Sequence, residues 1–310
     1  MENDLQRKIV RLKKDKNAII LAHYYQDSEI QDLADYVGDS LGLSQKAAET
    51  SADIIVFAGV HFMAETAKIL NPSKKVLLPD LKAGCSLAES CPPDEFEVFV
   101  KKHPEHVVIT YINCSAEVKA LSDLVCTSSN AIKMVNSIPK DKEIIFAPDK
   151  NLGKYIISQT GRDMLLWDGA CVVHEAFSLE KLVKLQGQYP ESQIIAHPES
   201  EEQIIKLATY VGSTSGMINH VEQNPNGQYI VATEAGILHK MQQRVPASIL
   251  IPAPAKENNT CACSECGYMK LNTLEKLYSC LLNEDPEIII NKDLQEKALR
   301  PIERMLELSK

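Results

Sequence analysis

Apolar and polar positions along the chain form a pattern that recurs three times. The segments AIILAHYYQDSEIQDLADYVGDS from Ala18, HVVITYINCSAEVKALSDLVCTS from His106 and QIIAHPESEEQIIKLATYVGST from Gln193 each begin with a short β-branched apolar run. Each run passes into a polar turn, then an amphipathic stretch, then a small or hydroxyl-bearing residue. That succession predicts a strand followed by a helix. Second apolar runs follow at DIIVFAG from Asp53, EIIFAPD from Glu143 and YIVATEA from Tyr229, and third runs at KVLLPD, MLLWDG and SILIPAP, each after an intervening helical stretch. Strands alternating with helices predict parallel sheets covered on both faces. The fold class expected is therefore α/β, with three homologous α/β/α domains related by approximate threefold symmetry around a central site. The domains are residues 1–104 with an N-terminal helix, 105–190, and 191–310 with a final helix over Lys292 to Leu308 that packs back across the body. Units of about 90 residues fall in the usual domain range. The stretch PAPAKENNTCACSEC is the one irregular insertion.

The repeats agree in register at their polar positions. His23, Tyr111 and His197 share one position at the strand end, and Tyr25, Asn113 and Glu199 share the position two residues later. At one fixed spacing from the first set stand Ser40, Ser128 and Thr214. Ligands of open parallel sheets bind at the carboxyl ends of strands, so three inward-facing domains would bring these sets together.

Bulk composition narrows the setting. Hydrophobic content of 45% and charged content of 24% are ordinary for a soluble globular chain. A net charge of −9 argues against a nucleic-acid partner, while a local pocket can still receive small anions. No apolar run approaches the roughly 20 residues of a membrane span. The start, MENDLQRKIVRLKKDK, mixes charges of both signs without an apolar signal core and reads as an exposed amphipathic helix. A cytoplasmic location is expected, where the nine cysteines are reduced, ligating or buried and not paired in disulfides.

A cysteine follows the third strand of each repeat: Cys85 in DLKAGCSLAES, Cys171 in WDGACVVHE, and the group Cys261, Cys263 and Cys266. Thiolates bind soft metals, zinc and iron–sulfur clusters above all. One ligand per repeat matches a four-iron cubane that has three irons held by cysteine and the fourth open as a Lewis acid. A zinc site at C-x-C-x2-C and an electron-carrying cluster with every iron ligated are the competing readings. Cys91, Cys114, Cys126 and Cys280 read as small core residues; Cys126 shares its register with Gly38 and Gly212.

The phrases LAHYYQ, VGDSLGLS, FAGVHFMAETAKIL, AGCSLAES, TYINCSAEVKA, CTSSNA, FAPDKNLG, WDGACVVHE, HPES and TEAGILH resemble the quinolinate synthase family, the A protein of prokaryotic NAD biosynthesis. The resemblance covers most of the chain. It implies a pseudo-threefold α/β fold with a central [4Fe-4S] cluster, and the condensation of iminoaspartate with dihydroxyacetone phosphate to quinolinate, phosphate and water. It implies Cys85, Cys171 and Cys266 as the cluster ligands, Cys266 because the family's third ligand precedes a segment like GYMKLNT. The chain departs from the family's C-x2-C-x2-C-Pro by having C-x-C-x2-C and Gly267. An aspartate-oxidising enzyme supplying iminoaspartate is the implied partner; neither nucleic acid nor membrane is.

That reaction must hold two anions, move protons and remove water. Tyr25 and Glu199 are the first candidates for proton transfer, followed by His197 and Tyr111. Ser40, Ser128 and Thr214, at or near helix starts, suit carboxylate or phosphate groups, and suit plain N-caps as well. His23 and Asn113 complete the donors, the backbone at Ile112 and Pro198 lines the same wall, and His174 stands beside the cluster. His61, His103, His106, His220 and His239 show no repeat-wide pattern and read as structural or exposed.

Overall fold

The structure, a computed structural model, describes residues 4–256 and 264–310, so Cys261 and Cys263 lie outside the described residues. Twelve strands form three four-stranded sheets. The first holds β1 (Ala18–His23), β2 (Tyr36–Gly38), β3 (Ile54–Ala58) and β4 (Lys75–Leu77). The second holds β5 (Val107–Tyr111), β6 (Leu124–Cys126), β7 (Ile144–Ala147) and β8 (Leu165–Leu166). The third holds β9 (Gln193–Ala196), β10 (Tyr210–Val211), β11 (Gln228–Ala232) and β12 (Ile249–Pro252). Each sheet runs second–first–third–fourth in chain order, and every pairing is parallel.

The nine apolar runs read from the sequence supply β1, β3, β4 and their counterparts. β2, β6 and β10 come in addition. Two or three residues are too few to display a strand period, and these edges are held by crossings that recur. Asp35 accepts from the Ile20 amide at 2.8 Å and Asp123 from the Val108 amide at 2.8 Å, and the Thr209 hydroxyl donates to the Ile194 carbonyl at 3.0 Å.

Alternate residues of each central strand enter different layers, as parallel sheets require. In β1, Ile20 and Ala22 face Ile9, Leu274 and Leu277, whereas Leu21 joins Leu43 and Ile69 on the other side. In the third sheet, Ile195 and Val231 meet Met217 and Met241, and Ile194 and Ile230 meet Leu182 and Ile204. Burying one such side chain is worth about 1.5–3 kcal/mol. The first and second sheets share a core with Ala298, Ile302 and Met305 of the helix Lys292–Leu308. The helix Leu274–Asn283 joins the N-terminal helix Asp4–Asp15 over the first sheet. No described helix is long and apolar enough to cross a membrane.

Candidate active site

His23 and Tyr111 end β1 and β5, and His197 directly follows β9. The polar turns after these strands open into one cavity of about 680 Å³, its mouth and the solvent in it included. His23, Tyr25, Ser40, Tyr111, Asn113, Ser128, His174, His197, Glu199, Thr214, Cys85, Cys171 and Cys266 all line it. Ile112 and Pro198 do not. The Ile112 amide donates instead to the Cys126 carbonyl at 2.8 Å, across the β5–β6 pairing, and Pro198 has no amide to offer.

Glu199 is the hub of the polar wall. Tyr111 Oη donates to its Oε1 at 2.5 Å, and His174 Nδ1 lies 3.0 Å from its Oε2, off the line of a well-formed hydrogen bond. Burial pushes the Glu199 carboxyl up, but the adjacent His174 and His197, with the hydrogen bond from Tyr111, outweigh it and hold the group at about 2. Glu199 is therefore a buried carboxylate. Burial and the Glu199 charge drive the Tyr111 and Tyr25 hydroxyls well above the usual phenol range, so both remain protonated.

The two repeat-matched histidines are held alike. The Tyr25 amide donates to His23 Nδ1 at 3.2 Å, and the Glu199 amide donates to His197 Nδ1 at 3.4 Å. An Nδ1 that accepts leaves the ring proton on Nε2, and His197 Nε2 lies 3.1 Å from Ser128 Oγ. Burial lowers His197 to about 3 and His23 to about 4, so both are neutral donors. A depressed histidine binds its proton in the unfolded chain first. Its contribution to stability is therefore whole above pH 6.5 and declines as the pH drops from there toward the folded value. Relative to His23→Gln, the wild type should lose about 1.4 kcal/mol per pH unit between pH 6.5 and about 4, read from paired denaturant melts.

Among the described residues, no lysine or arginine lines the cavity. Anions entering it must be held by hydroxyls, amides and imidazole N–H groups. The helices Ser40–Glu49 and Thr214–Gln223 are capped one residue earlier, by Asp39 on the Gly42 amide and Ser213 on the Gly216 amide. The Ser40 and Thr214 hydroxyls are thus not needed as caps, and each stands at a helix N-terminus, where anions are favoured. Asn113 Oδ1 is buried without a partner among the described residues.

The three cysteines sit in matching turns. Cys85 and Cys171 each precede a four-residue helix, Ser86–Glu89 and Val172–Glu175, and Cys266 precedes the short turn Met269–Leu271. Burial pushes Cys85 up to about 12 and Cys171 and Cys266 upward, with neighbouring thiols and carboxylates adding to it. Opposing this, the amides two and three residues further on favour each thiolate: Leu87 and Ala88, Val173 and His174, Tyr268 and Met269. Three half-buried thiols beside a carboxylate, each pushed upward by desolvation, stay protonated unless a cationic centre sits among them, which fits a thiolate-bound metal group. Cys171 Sγ, a His174 nitrogen and a Glu199 oxygen lie within 4.8 Å of one another, a further potential metal-binding group.

The turns are packed tightly against one another. A Cβ at Gly84, beside Cys85, would stand 2.8 Å from Glu89 Oε1, and one at Gly169, before Cys171, would stand 2.6 Å from the Pro148 carbonyl. Tyr268 Oη donates to Glu89 Oε2 at 2.9 Å, tying the turn after Cys266 to the helix after Cys85.

Among the residues that were not legible as site residues are Glu234 and Thr233. Glu234 lines the cavity, accepts from the Cys266 amide at 3.1 Å and the Gly236 amide at 2.7 Å, and is raised by burial to about 7. Thr233 bonds two lining residues from behind. Both follow the second strand of the third unit, where the first unit has Gly59 and Val60 and the second has Pro148 and Asp149. Comparing the ends of second strands, as well as first strands, would have found Glu234 beside Asp149.

The chain matches the family described as Quinolinate synthetase A protein over residues 7–307. It is 60% identical over 309 residues to the quinolinate synthase of Microcystis aeruginosa, covering 100% of this chain and 96% of that protein. It is likewise 60% identical over 307 residues to the quinolinate synthases of Gloeothece citriformis and Trichodesmium erythraeum, covering 99% of this chain and 94% of each.

Proposed function

The chain belongs to the quinolinate synthetase A protein family of NAD biosynthesis, and we propose that it condenses iminoaspartate with dihydroxyacetone phosphate in the cavity described above. Quinolinate, phosphate and two waters balance the atoms. The proposal includes a [4Fe-4S] cluster held by Cys85, Cys171 and Cys266. It also arranges three units, 1–104, 105–190 and 191–310, in pseudo-threefold fashion around the cavity, each contributing one ligand. The observation that carries the cluster reading is the recurrence of one local setting at three thiols on one cavity wall, each favoured by the amides two and three residues on.

When bound, such a cluster supplies one open iron as a Lewis acid for a departing oxygen. The remaining work falls to this chain's side chains. The hydroxyls of Ser40, Ser128 and Thr214, with the amides of two helix N-termini, hold carboxylate and phosphate groups. His23 and His197 offer Nε2 protons, and the Asn113 amide orients the substrate. Glu199, already a carboxylate, takes up a proton at its Oε2 or Oε1, and Tyr111 Oη, 2.5 Å away, stabilises that charge between transfers. Tyr25 contributes its hydroxyl from the opposite side of His174. The enzyme works in the cytoplasm and receives iminoaspartate from an aspartate-oxidising enzyme.

Anaerobically purified protein with its iron and sulfide complete should form quinolinate from iminoaspartate and dihydroxyacetone phosphate, followed by chromatography against an authentic standard. Loss of dihydroxyacetone phosphate without quinolinate, or no turnover by fully loaded protein, would refute the proposal.

A further inference from the structure

The register that organises the cavity also reaches the seams between the units. Eight residues beyond His23, Tyr111 and His197 stand Gln31, Lys119 and Ile205, and three residues beyond them stand Gln26, Cys114 and Ser200. In the first unit, Gln31 Nε2 donates to the Gln26 carbonyl at 2.8 Å, with the Tyr24 carbonyl at 2.9 Å and the Gly236 carbonyl of the third unit at 2.9 Å. In the second unit, Lys119 Nζ donates to the Cys114 carbonyl and lies 5.4 Å from the centre of the Phe62 ring of the first unit. Both side chains are buried. A buried nitrogen thus closes each of two seams, on the carbonyl just after Tyr25 in one and just after Asn113 in the other. In the third unit the same place is taken by Ile205, whose side chain has no donor.

The third seam is correspondingly open. Asn151, the counterpart of Gly236 and Phe62, lines a cleft of about 630 Å³, its solvent included, together with Ser200 and Ile205. Ser200 directly follows Glu199 and is 1% exposed. Among the described residues its hydroxyl is buried without a partner, and its carbonyl receives no hydrogen bond. Buried polar groups ordinarily find partners. Here one residue offers the cleft an acceptor and a donor side by side, which match the NH2 and C=O of a primary amide. Tyr155, Ile157 and Ile205 supply apolar walls. Charged groups fit less well. Where the second seam has the Glu65 carboxyl within the field of Lys119, the third has Lys154, and the rim carboxylate Glu202 is already engaged by Lys206 at 2.6 Å. An ammonium would therefore face a cation, and a carboxylate has no proton for the Ser200 carbonyl.

The geometry points to this third seam as a binding site for a small neutral primary amide with an apolar body. The amide nitrogen donates to the Ser200 carbonyl and the amide oxygen accepts from Ser200 Oγ. The ligand does between the second and third units what Gln31 does between the first and third. Its occupancy steadies the turn that carries Glu199, so the cleft regulates the cavity; that role rests on the cavity being the site of quinolinate formation.

Butyramide is the probe, with butyrate and butylammonium as its charged analogues. In full-length protein loaded with iron and sulfide, butyramide should saturably shift the isoleucine methyl NMR signals of Ile157 and Ile205, identified by their absence in Ile157→Val and Ile205→Val. The two analogues should bind there at least about tenfold more weakly, the cost of one mismatched polar contact. Ile205→Gln builds the missing amide into the chain and should abolish the butyramide shift at Ile157. Ile205→Phe, which fills the cleft, takes its place if the glutamine variant does not fold. Saturating butyramide should also tighten quinolinate binding about fivefold, the low end of coupling between two sites, in the wild type and not in Ile205→Gln. Signals that stay unmoved up to the solubility limit overturn the site, as do equal shifts from all three compounds or an undiminished shift at Ile157 in Ile205→Gln. A saturable shift with unchanged quinolinate affinity overturns the regulatory role. A wild type that makes no quinolinate overturns the functional reading instead, and the isoleucine signals still decide the site.

Discussion

Cys266→Ala should give a folded, colourless protein that makes no quinolinate, whereas Cys261→Ala and Cys263→Ala should remain brown and active. The expectation for Cys266 follows from what surrounds its sulfur. Cys266 lines the cavity with Cys85 and Cys171, and its thiolate is favoured by the amides of Tyr268 and Met269 as theirs are by their own turns. The Glu234 carboxylate fixes its amide at 3.1 Å, and the Tyr268–Glu89 hydrogen bond of 2.9 Å ties its turn to that of Cys85. The fold should survive the change, because the shared core of the first and second sheets is built from buried residues such as Leu21, Ile55, Ile109 and Phe146, against which Cys266 is only a partly buried neighbour. Iron and sulfide analysis with circular dichroism checks both halves. An iron-replete Cys266→Ala variant, or a colourless Cys261→Ala or Cys263→Ala variant, would show that the third ligand is misassigned.

Glu199→Gln should lower kcat by about 10²- to 10⁴-fold, the range of a lost general acid–base group, with KM much less affected. The amide is close in shape to the carboxylate, so the backbone bond from Glu199 to His197 Nδ1 is retained. What changes is charge. The carboxylate is held at about 2 against burial by His174, His197 and Tyr111, and an amide can neither accept a proton at neutral pH nor balance a protonated neighbour. The amide nitrogen must also face Tyr111 Oη or His174 Nδ1, replacing an acceptor with a donor in a wall that has no room for another. Steady-state kinetics at matched iron content reads the effect. A Glu199→Gln enzyme within threefold of the wild type would remove Glu199 from any role in proton transfer.

The strands were legible because parallel strands buried on both faces leave continuous apolar runs, such as IIVFA and IIFA. β2, β6 and β10 were not, since two- and three-residue edges carry no period and are defined by the Asp35, Asp123 and Thr209 crossings. Most cavity-lining polar residues could be read from the repeat, because three matched registers must project to matched places on three like sheets. Thr233 and Glu234 escaped because their counterparts are Gly59 and Val60 in the first unit and Pro148 and Asp149 in the second, so a search for threefold agreement passes over them. The hydroxyls of Ser40 and Thr214 could be caps or ligand holders by sequence; only the backbone shows Asp39 and Ser213 already capping. Which cysteine of Cys261, Cys263 and Cys266 belongs to the site rests on family resemblance; Cys266 lines the cavity, and Cys261 and Cys263 lie outside the described residues.

On the proposed reading, Cys85, Cys171 and Cys266, one from each repeated unit, would hold a four-iron cluster and leave one iron without a protein ligand. Mössbauer spectroscopy of the 57Fe-loaded protein, with and without quinolinate, tests it most directly. The account predicts four irons per chain, of which one changes its signal on ligand addition while three do not. Four irons that all remain unchanged on addition of saturating quinolinate, or a colourless protein carrying one zinc per chain, would contradict it.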